Sequence, residues 1–265
     1  NMLKIVDRIN TYKHYEPLLK QLIIKDIKLK YRRSFLGYIW SIMSPLLIMI
    51  VMVIVFSNMF RFDIVNYPVY FIIGQTIYNF FSESTNQAMW SIVGNAALLK
   101  KTYVPKYIFT LSKISSSFVN TLFALGAMLI VFIVCNIKFN WYMLFIPVIL
   151  LQVYILCVGV GLILAQATVF FRDIQYIYGV ILMVWMYLTP IFYPISMLES
   201  NPQLVFFIKN FNPLYLYIEQ FRIIVLQGVF PTIDLIANGV AWALFSITIG
   251  TFVFLKTQNK FILYI

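Results

Sequence analysis

The chain has 265 residues, 62% apolar, 18% aromatic and 11% charged, and 20 Lys and Arg against 9 Asp and Glu leave a net charge of +11. Soluble domains run at about 45–50% apolar and about 25% charged, so the charged side chains here are too few to cover a water-facing surface, and a soluble globule is excluded. The basic excess lies at the ends of long apolar runs, which favours a membrane surface over nucleic acid.

The first 33 residues carry too many charges for a cleavable signal. From Pro17 to Arg33 the sequence PLLKQLIIKDIKLKYRR places Gln21, Lys25, Lys28 and Arg32 on one polar stripe at helical spacing, with Leu19, Ile23 and Ile27 on the other side. This predicts an amphipathic helix over 14–33 lying in the cytoplasmic interface, basic stripe toward headgroups. Lys20 and Lys30 interrupt its apolar face, and a plain basic leader is the simpler alternative.

Uncharged stretches at 34–60, 64–82, 114–137, 139–171, 174–198 and 235–255 are each long enough to cross about 30 Å of hydrocarbon. The prediction is an all-α integral membrane protein, one domain with six transmembrane helices over 34–256 and a cytoplasmic tail at 257–265. With both termini inside, the cytoplasmic segments hold 16 Lys and Arg and the outer segments 4, namely Arg61, Lys138, Lys209 and Arg222. That bias sets the orientation, and attraction of the basic clusters to anionic headgroups accounts for the net charge without nucleic acid. Two shorter stretches, 200–208 and 210–218, are broken by Pro202 and Pro213 and read as re-entrant or interfacial elements on the outer side.

Between the second and third spans, GNAALLKKTYVPKYIFTLSK carries four lysines and no acid. A short helix over Ala96 to Lys101, ended before Pro105, suits a docking contact for a soluble partner; an ordinary positive-inside loop explains the composition equally well. The fourth connection offers only Arg172 and Asp173, either a second contact or a snorkelling cap. After the fifth span, Pro190 and Pro194 break the helix and Phe192 and Tyr193 supply rings at the outer face. A helix from Pro213 sets Glu219 and Arg222 three apart, the spacing of a local ion pair. The chain holds 25 Phe, 18 Tyr and 5 Trp, more than two interfacial belts use, and aromatic faces suit the CH-rich faces of sugars.

Among candidate chemical groups, only Glu83 approaches the hydrocarbon, which leaves a proton or sodium relay almost nothing to work with. His14 is the only histidine and stands in the leader, so no metal site is expected. Cys135 and Cys157 sit inside apolar runs and behave as small hydrophobes. There is no G-x-x-x-x-G-K-[ST] motif, so a motor for transport has to be another polypeptide.

Four segments together, DIKLKYRRSFLGYIWSIMSPLL at 26–47, IGQTIYNFF at 73–81, FFRDIQYIYGVILMVWMYLTPIFYP at 170–194 and NPLYLYIEQFR at 212–222, resemble the permease subunits of ABC exporters for cell-surface polysaccharides of the O-antigen, capsule and teichoic-acid type. The resemblance implies a homodimer of six-span permeases in a bacterial cytoplasmic membrane, two cytoplasmic ATPase subunits that bind ATP and Mg, and no cofactor on this chain. It implies an interface helix, a coupling helix after the second span and outer gate helices before the sixth. It also implies the substrate, a lipid-linked glycan moved outward through an aromatic-lined channel.

On these grounds the expected channel wall is Tyr38, Trp40, Tyr70, Tyr78, Phe81 and Tyr187 with Glu83 at the inner mouth. The expected outer gate is Pro190, Phe192, Tyr193, Pro194, Tyr215 and Arg222. The expected coupling surface is Ala96, Ala97, Lys100, Lys101, Arg172 and Asp173. A permease for drugs or small lipids shares the spans and the ATPase. A membrane-embedded enzyme needs clustered carboxylates or a metal, whereas the outer acids Asp63, Glu199, Glu219 and Asp234 are scattered over different loops.

Overall fold

The computed structural model describes residues 2–32, 37–59, 64, 66–101 and 103–264, and all regular structure among them is helical. Arg33, the start of the first predicted span at 34–36, and Arg61 and Asp63 of the loop after it lie outside the described residues.

Helix α1 runs Met2–Tyr31, so a helix does cover 14–33 up to Tyr31 and starts well before residue 14, continuing through Pro17 despite the ladder hydrogen bond that proline removes. Its predicted faces are borne out: Gln21, Lys25, Lys28 and Arg32 are exposed, Leu19 is buried and Ile23 and Ile27 are half-buried. α1 packs on α5 (Tyr107–Val134), fixed by an ion pair of 2.8 Å between Asp26 and Lys113. That contact explains why α5 begins at Tyr107 rather than at 114: a paired lysine does not have to end an apolar helix.

Helix α2 (Trp40–Met59) holds few buried residues, and its Leu47, Ile48, Ile50, Val51 and Ile54 all face outward. α3 (Tyr67–Met89) is the opposite case, central to the bundle and packed against α2, α5, α6 (Ile146–Phe170) and α9 (Pro213–Arg222). It carries Gln75, Thr76, Asn79, Ser82 and Glu83, polarity that a helix shielded by neighbours tolerates. α4 (Ala96–Lys101) is the short helix expected ahead of Pro105.

α6 crosses α10 (Ile233–Thr257) backbone on backbone. A Cβ built on Gly250 would lie 2.2 Å from the carbonyl oxygen of Gly159, and one on Gly159 2.4 Å from that of Ser246, so only glycine fits at either position. α6 and α7 (Ile174–Leu188) are joined through 171–173, the tight turn read from Arg172 and Asp173. α7 stops at Leu188, although its apolar run extends to 198, because the chain turns extended at Thr189 ahead of Pro190. The predicted outer segment then forms two ten-residue helices, α8 (Pro202–Phe211) and α9. Pro202 and Pro213 start these helices rather than break them: each occupies the first turn, and the preceding Asn201 and Asn212 cap by accepting from the amides of Leu204 and Tyr215.

Among the described residues, four helical segments are long and apolar enough to cross a membrane: Gly37–Phe56, Tyr107–Val134, Trp141–Phe170 and Ile233–Phe261. α3 falls short of that composition through its polar residues, and α7, apolar throughout, is shorter at 15 residues, so four of the six expected spans meet both measures by themselves.

Candidate functional site

The break after α7 is organised by one arginine. Arg222, at the end of α9, is 3% exposed, and its Nη1 donates to the carbonyl of Pro190 at 2.8 Å. Its Nη2 donates to the carbonyls of Tyr70 at 3.1 Å and Ile191 at 3.3 Å, and its Nε to that of Tyr70 at 3.3 Å. The guanidinium carbon lies 3.3 Å from the centroid of the Tyr70 ring. A buried cation needs its protons satisfied, and here the carbonyls of Tyr70 on α3 and of Pro190 and Ile191 beyond α7 do so, with the Tyr70 ring as a π face beside them. No ion pair with Glu219 forms among the described residues, so the i, i+3 spacing misled; the side chain reaches across to α3 and α7 instead. Gly74 makes room for it, since a Cβ there would lie 3.0 Å from Nη2.

Around this arginine the rings of the α7 break are tied to α3. The Tyr70 hydroxyl donates to the carbonyls of Pro190 at 3.2 Å and Tyr193 at 2.9 Å, and that of Tyr67 to Phe192 at 3.0 Å. The Phe192 ring stacks on Phe56 at 5.8 Å and meets Tyr187 at 6.3 Å, and the Tyr193 hydroxyl donates to the Tyr187 carbonyl at 2.6 Å. Asn212 joins the start of α9 to the same break, accepting from the Trp185 indole at 3.1 Å and donating to Thr189 Oγ1 at 2.9 Å. Tyr215 is buried with Ile208 and Leu216, within electrostatic reach of Tyr70 and Arg222, and Pro194 is half-buried ahead of a short 3₁₀ turn.

At the other end of α3, Glu83 is a hydrogen-bond hub. One oxygen accepts from Lys30 at 2.7 Å, Gln87 at 3.0 Å and Asn120 at 3.1 Å, while Tyr31 donates to Asn120 at 3.1 Å. Tyr31 also bonds Ser41, and its ring contacts Tyr38 at 4.6 Å between centroids. Trp40 is nearly half exposed beside this hub. Tyr78 and Phe81 lie in the helix packing of the chain itself, with the Tyr78 hydroxyl donating to the carbonyl of Leu182 at 2.7 Å.

Ala97, Lys100 and Lys101 on α4 are exposed, Ala96 is half-buried, and Leu99 is buried, which anchors the helix by its apolar side. Arg172 and Asp173 are exposed at their turn. α1 reaches the segment after α4 through the Tyr15 hydroxyl, which donates to the Tyr103 carbonyl at 2.7 Å. Lys106 bonds the carbonyl of Gln258 and lies over the Phe261 ring, and burial holds its ammonium below the ordinary lysine range.

The structure thus brings Tyr70, Tyr187, Pro190, Phe192, Tyr193 and Arg222 together at one end of the bundle and Trp40 with Glu83 at the other. Sequence reasoning missed Gly74, Asn212, Lys30, Asn120 and the Asp26–Lys113 pair. The asparagine-proline pair at 212–213 was the one visible signal among them; the rest depend on partners distant in the chain.

Comparison with known proteins matches residues 17–226 to the ABC-2 type transporter family. The O-antigen export system permease protein RfbA of Klebsiella pneumoniae is 30% identical over 213 residues, 80% of this chain and 81% of the relative. The protein of the same name from Myxococcus xanthus is 30% identical over 187 residues, 71% of this chain and 72% of the relative.

Proposed function

The chain belongs to the ABC-2 type transporter family, and from that premise we propose that it is the channel-forming membrane subunit of an ATP-driven exporter that moves a lipid-linked polysaccharide outward across a bacterial cytoplasmic membrane. The observation that carries this reading is the likeness, at 30% identity over 80% of the chain, to a permease named for O-antigen export. In this reading α2, α3, α5, α6, α7 and α10 are the six spans, both termini are cytoplasmic, and α8 and α9 enter from the outer side without crossing.

The remaining parts of the proposal follow from which surfaces are left uncovered. α7 buries only Tyr178 and Leu182 and exposes Tyr176, Val180, Val184 and Tyr187, and α2 is similarly bare, so these two helices meet a second copy of the chain around the glycan path. Tyr38, Trp40 and Tyr187 offer exposed rings to that path, with Tyr70, Tyr78 and Phe81 behind them, and the Arg222-held turn with Phe192 and Tyr193 forms the outer gate. Each copy docks one ATPase through α4 and the 171–173 turn; ATP and Mg are bound there, and this chain catalyses nothing.

Deleting the gene in its host tests the proposal. The expected result is loss of one surface polysaccharide with accumulation of its lipid-linked form inside the cell, restored by a plasmid copy. Unchanged surface glycan in the deletion strain would overturn it.

A further inference from the structure

α5 and α10 both pack on α6, and at the end of the bundle that carries α4 the three helices enclose a groove of about 470 Å³. Val158 and Leu162 of α6 form its floor, Leu111 of α5 and Phe254 of α10 its sides, and Pro105 and Gln258 stand at its mouth. Its polar side chains are few, and one of them, the Thr110 hydroxyl, is already bonded to Ser91 at 2.8 Å. Along α10 the lining reaches from Gln258 back to Thr251, about 10 Å of rise. One leaflet of hydrocarbon is about 15 Å deep, so the groove follows most of an acyl chain's path from the membrane surface inward.

The mouth carries a cation. The Lys106 ammonium donates to the carbonyl of Gln258 and lies 5.4 Å from the centroid of the Phe261 ring, which ties the start of α5 to the end of α10. Lys106 is half-buried, and no carboxylate pairs with it among the described residues. Glu16, Asp26 and Glu83 are each paired with another lysine, and Asp173 is exposed at the 171–173 turn. An ammonium has three protons to donate, so Lys106 keeps capacity for an anion, and an anion there would offset the burial that holds it below the ordinary lysine range. Lys256 and Lys260 are exposed at the same end of α10. Basic pockets between membrane helices suit anionic headgroups. A free phosphate would use the lysine and leave the apolar groove unused, and a second copy of the chain, with 20 Lys and Arg against 9 Asp and Glu, has the wrong sign of charge. A phospholipid of negative charge uses both parts.

We propose that this groove is a discrete site for one anionic phospholipid, with an acyl chain lying on α6 between α5 and α10 and the phosphate held at Lys106. The site stands a few residues after α4, so an occupied groove braces the base of the helix into which α4 leads. The inference takes from the proposed function only that α5, α6 and α10 are spans, and it depends on neither the glycan nor the ATPase.

Native mass spectrometry of the purified full chain released from detergent tests it, with phosphatidylglycerol, phosphatidylcholine of the same acyl chains and inorganic phosphate as probes. One firmly held phosphatidylglycerol per chain is expected, retained in preference to phosphatidylcholine and not displaced by millimolar phosphate. Lys106→Gln should cut that preference roughly fivefold, while Lys138→Gln, beyond the far end of α5, should leave it unchanged. Val158→Phe, which fills the floor of the groove, should lower retention of both lipids, and it carries the comparison if the Lys106 variant does not fold. Equal retention of the two lipids by the unaltered chain, displacement by phosphate, or an undiminished preference in folded Lys106→Gln would overturn the site. Dissociation of a dimer by Val158→Phe would overturn it too, by making the groove a contact between copies. A lipid-holding chain whose deletion left surface glycan intact would overturn the export reading and leave the site standing, and an export-essential chain with no lipid preference would do the reverse.

Discussion

The guanidinium of Arg222 lies 3.3 Å above the ring of Tyr70 while two of its nitrogens bond the Tyr70 carbonyl, so one residue of α3 is gripped by both its side chain and its backbone. The same guanidinium holds the carbonyls of Pro190 and Ile191, which makes it the fastening between α3, α7 and α9.

Arg222→Met is therefore expected to remove a donor from the carbonyls of Tyr70, Pro190 and Ile191, of which Pro190 keeps the Tyr70 hydroxyl, at roughly 1–3 kcal/mol for any carbonyl left unsatisfied where water cannot reach. The thermal midpoint in detergent should drop and surface glycan fall with it. Arg222→Lys should recover only part, because an ammonium cannot serve three carbonyls in a planar fork. Full stability in the lysine variant would show that charge rather than the fork matters.

At the crossing of α6 and α10, Gly159→Ala or Gly250→Ala introduces a methyl where the backbone of the other helix stands 2.3 or 2.2 Å away. Each should cost about 1–3 kcal/mol as an overpacked contact. The double variant should cost less than the sum, since one separation of the helices relieves both clashes. Thermal unfolding of the three variants measures this, and strict additivity would mean that the two methyls are accommodated separately.

Replacing Ala96 and Ala97 by glycine lowers the helix preference of α4 by about 1 kcal/mol per position and leaves the buried Leu99 anchor in place. With the ATPase co-expressed, ATP hydrolysis should persist while export falls. Normal export would remove α4 from the coupling role.

Phe192 and Tyr193 replaced together by alanine should raise ion conductance in planar bilayers, since Phe192 loses its stack on Phe56 and Tyr193 its bond to Tyr187. The backbone of the turn should stay, because the carbonyls that Tyr67 and Tyr70 bond belong to residues 192, 190 and 193 whatever their side chains. An unchanged leak would mark these rings as belt residues.

Alanine at Tyr38, Trp40 or Tyr187, exposed rings, should each lower export only in part, by about 0.5–1.5 kcal/mol in interaction, and all three together should stop it. Tyr78→Phe should instead act on stability, by about 0.5–1.5 kcal/mol for the lost bond to Leu182. Export rates and melting curves on the same preparations separate the two effects.

What the sequence made legible was whatever depends on neighbours in the chain. Pro105 after AALLKK marked α4, and Arg172 with Asp173 between two apolar runs marked a turn that the structure closes in three residues. Charge placement found the amphipathic faces of α1, whose exposed and buried residues fall where the pattern puts them. The part of α1 ahead of residue 14 was not legible, because the polar stripe that marks the helix begins only at Gln21; at Pro202 and Pro213 the prolines were read as breaks in the outer elements, whereas with an asparagine cap before them they start α8 and α9. Arg222 was read against Glu219, three residues away, although its partners sit about 30 and 150 positions off, and no local spacing encodes such a contact.

Helix α3 is held at Tyr70 by Arg222 and at Glu83 by Lys30, Gln87 and Asn120. Thirteen residues separate the two points, about 20 Å of rise and about 220° of turn, so they grip nearly opposite sides of the cylinder. One clamp would let the helix roll about its axis; two on opposite sides fix its azimuth. The compass bearing of Asn79, which lies between them, is consequently set in part by an arginine two turns and more above it, and a lesion at Arg222 should be felt at Asn79 as a rotation before it is felt as unfolding.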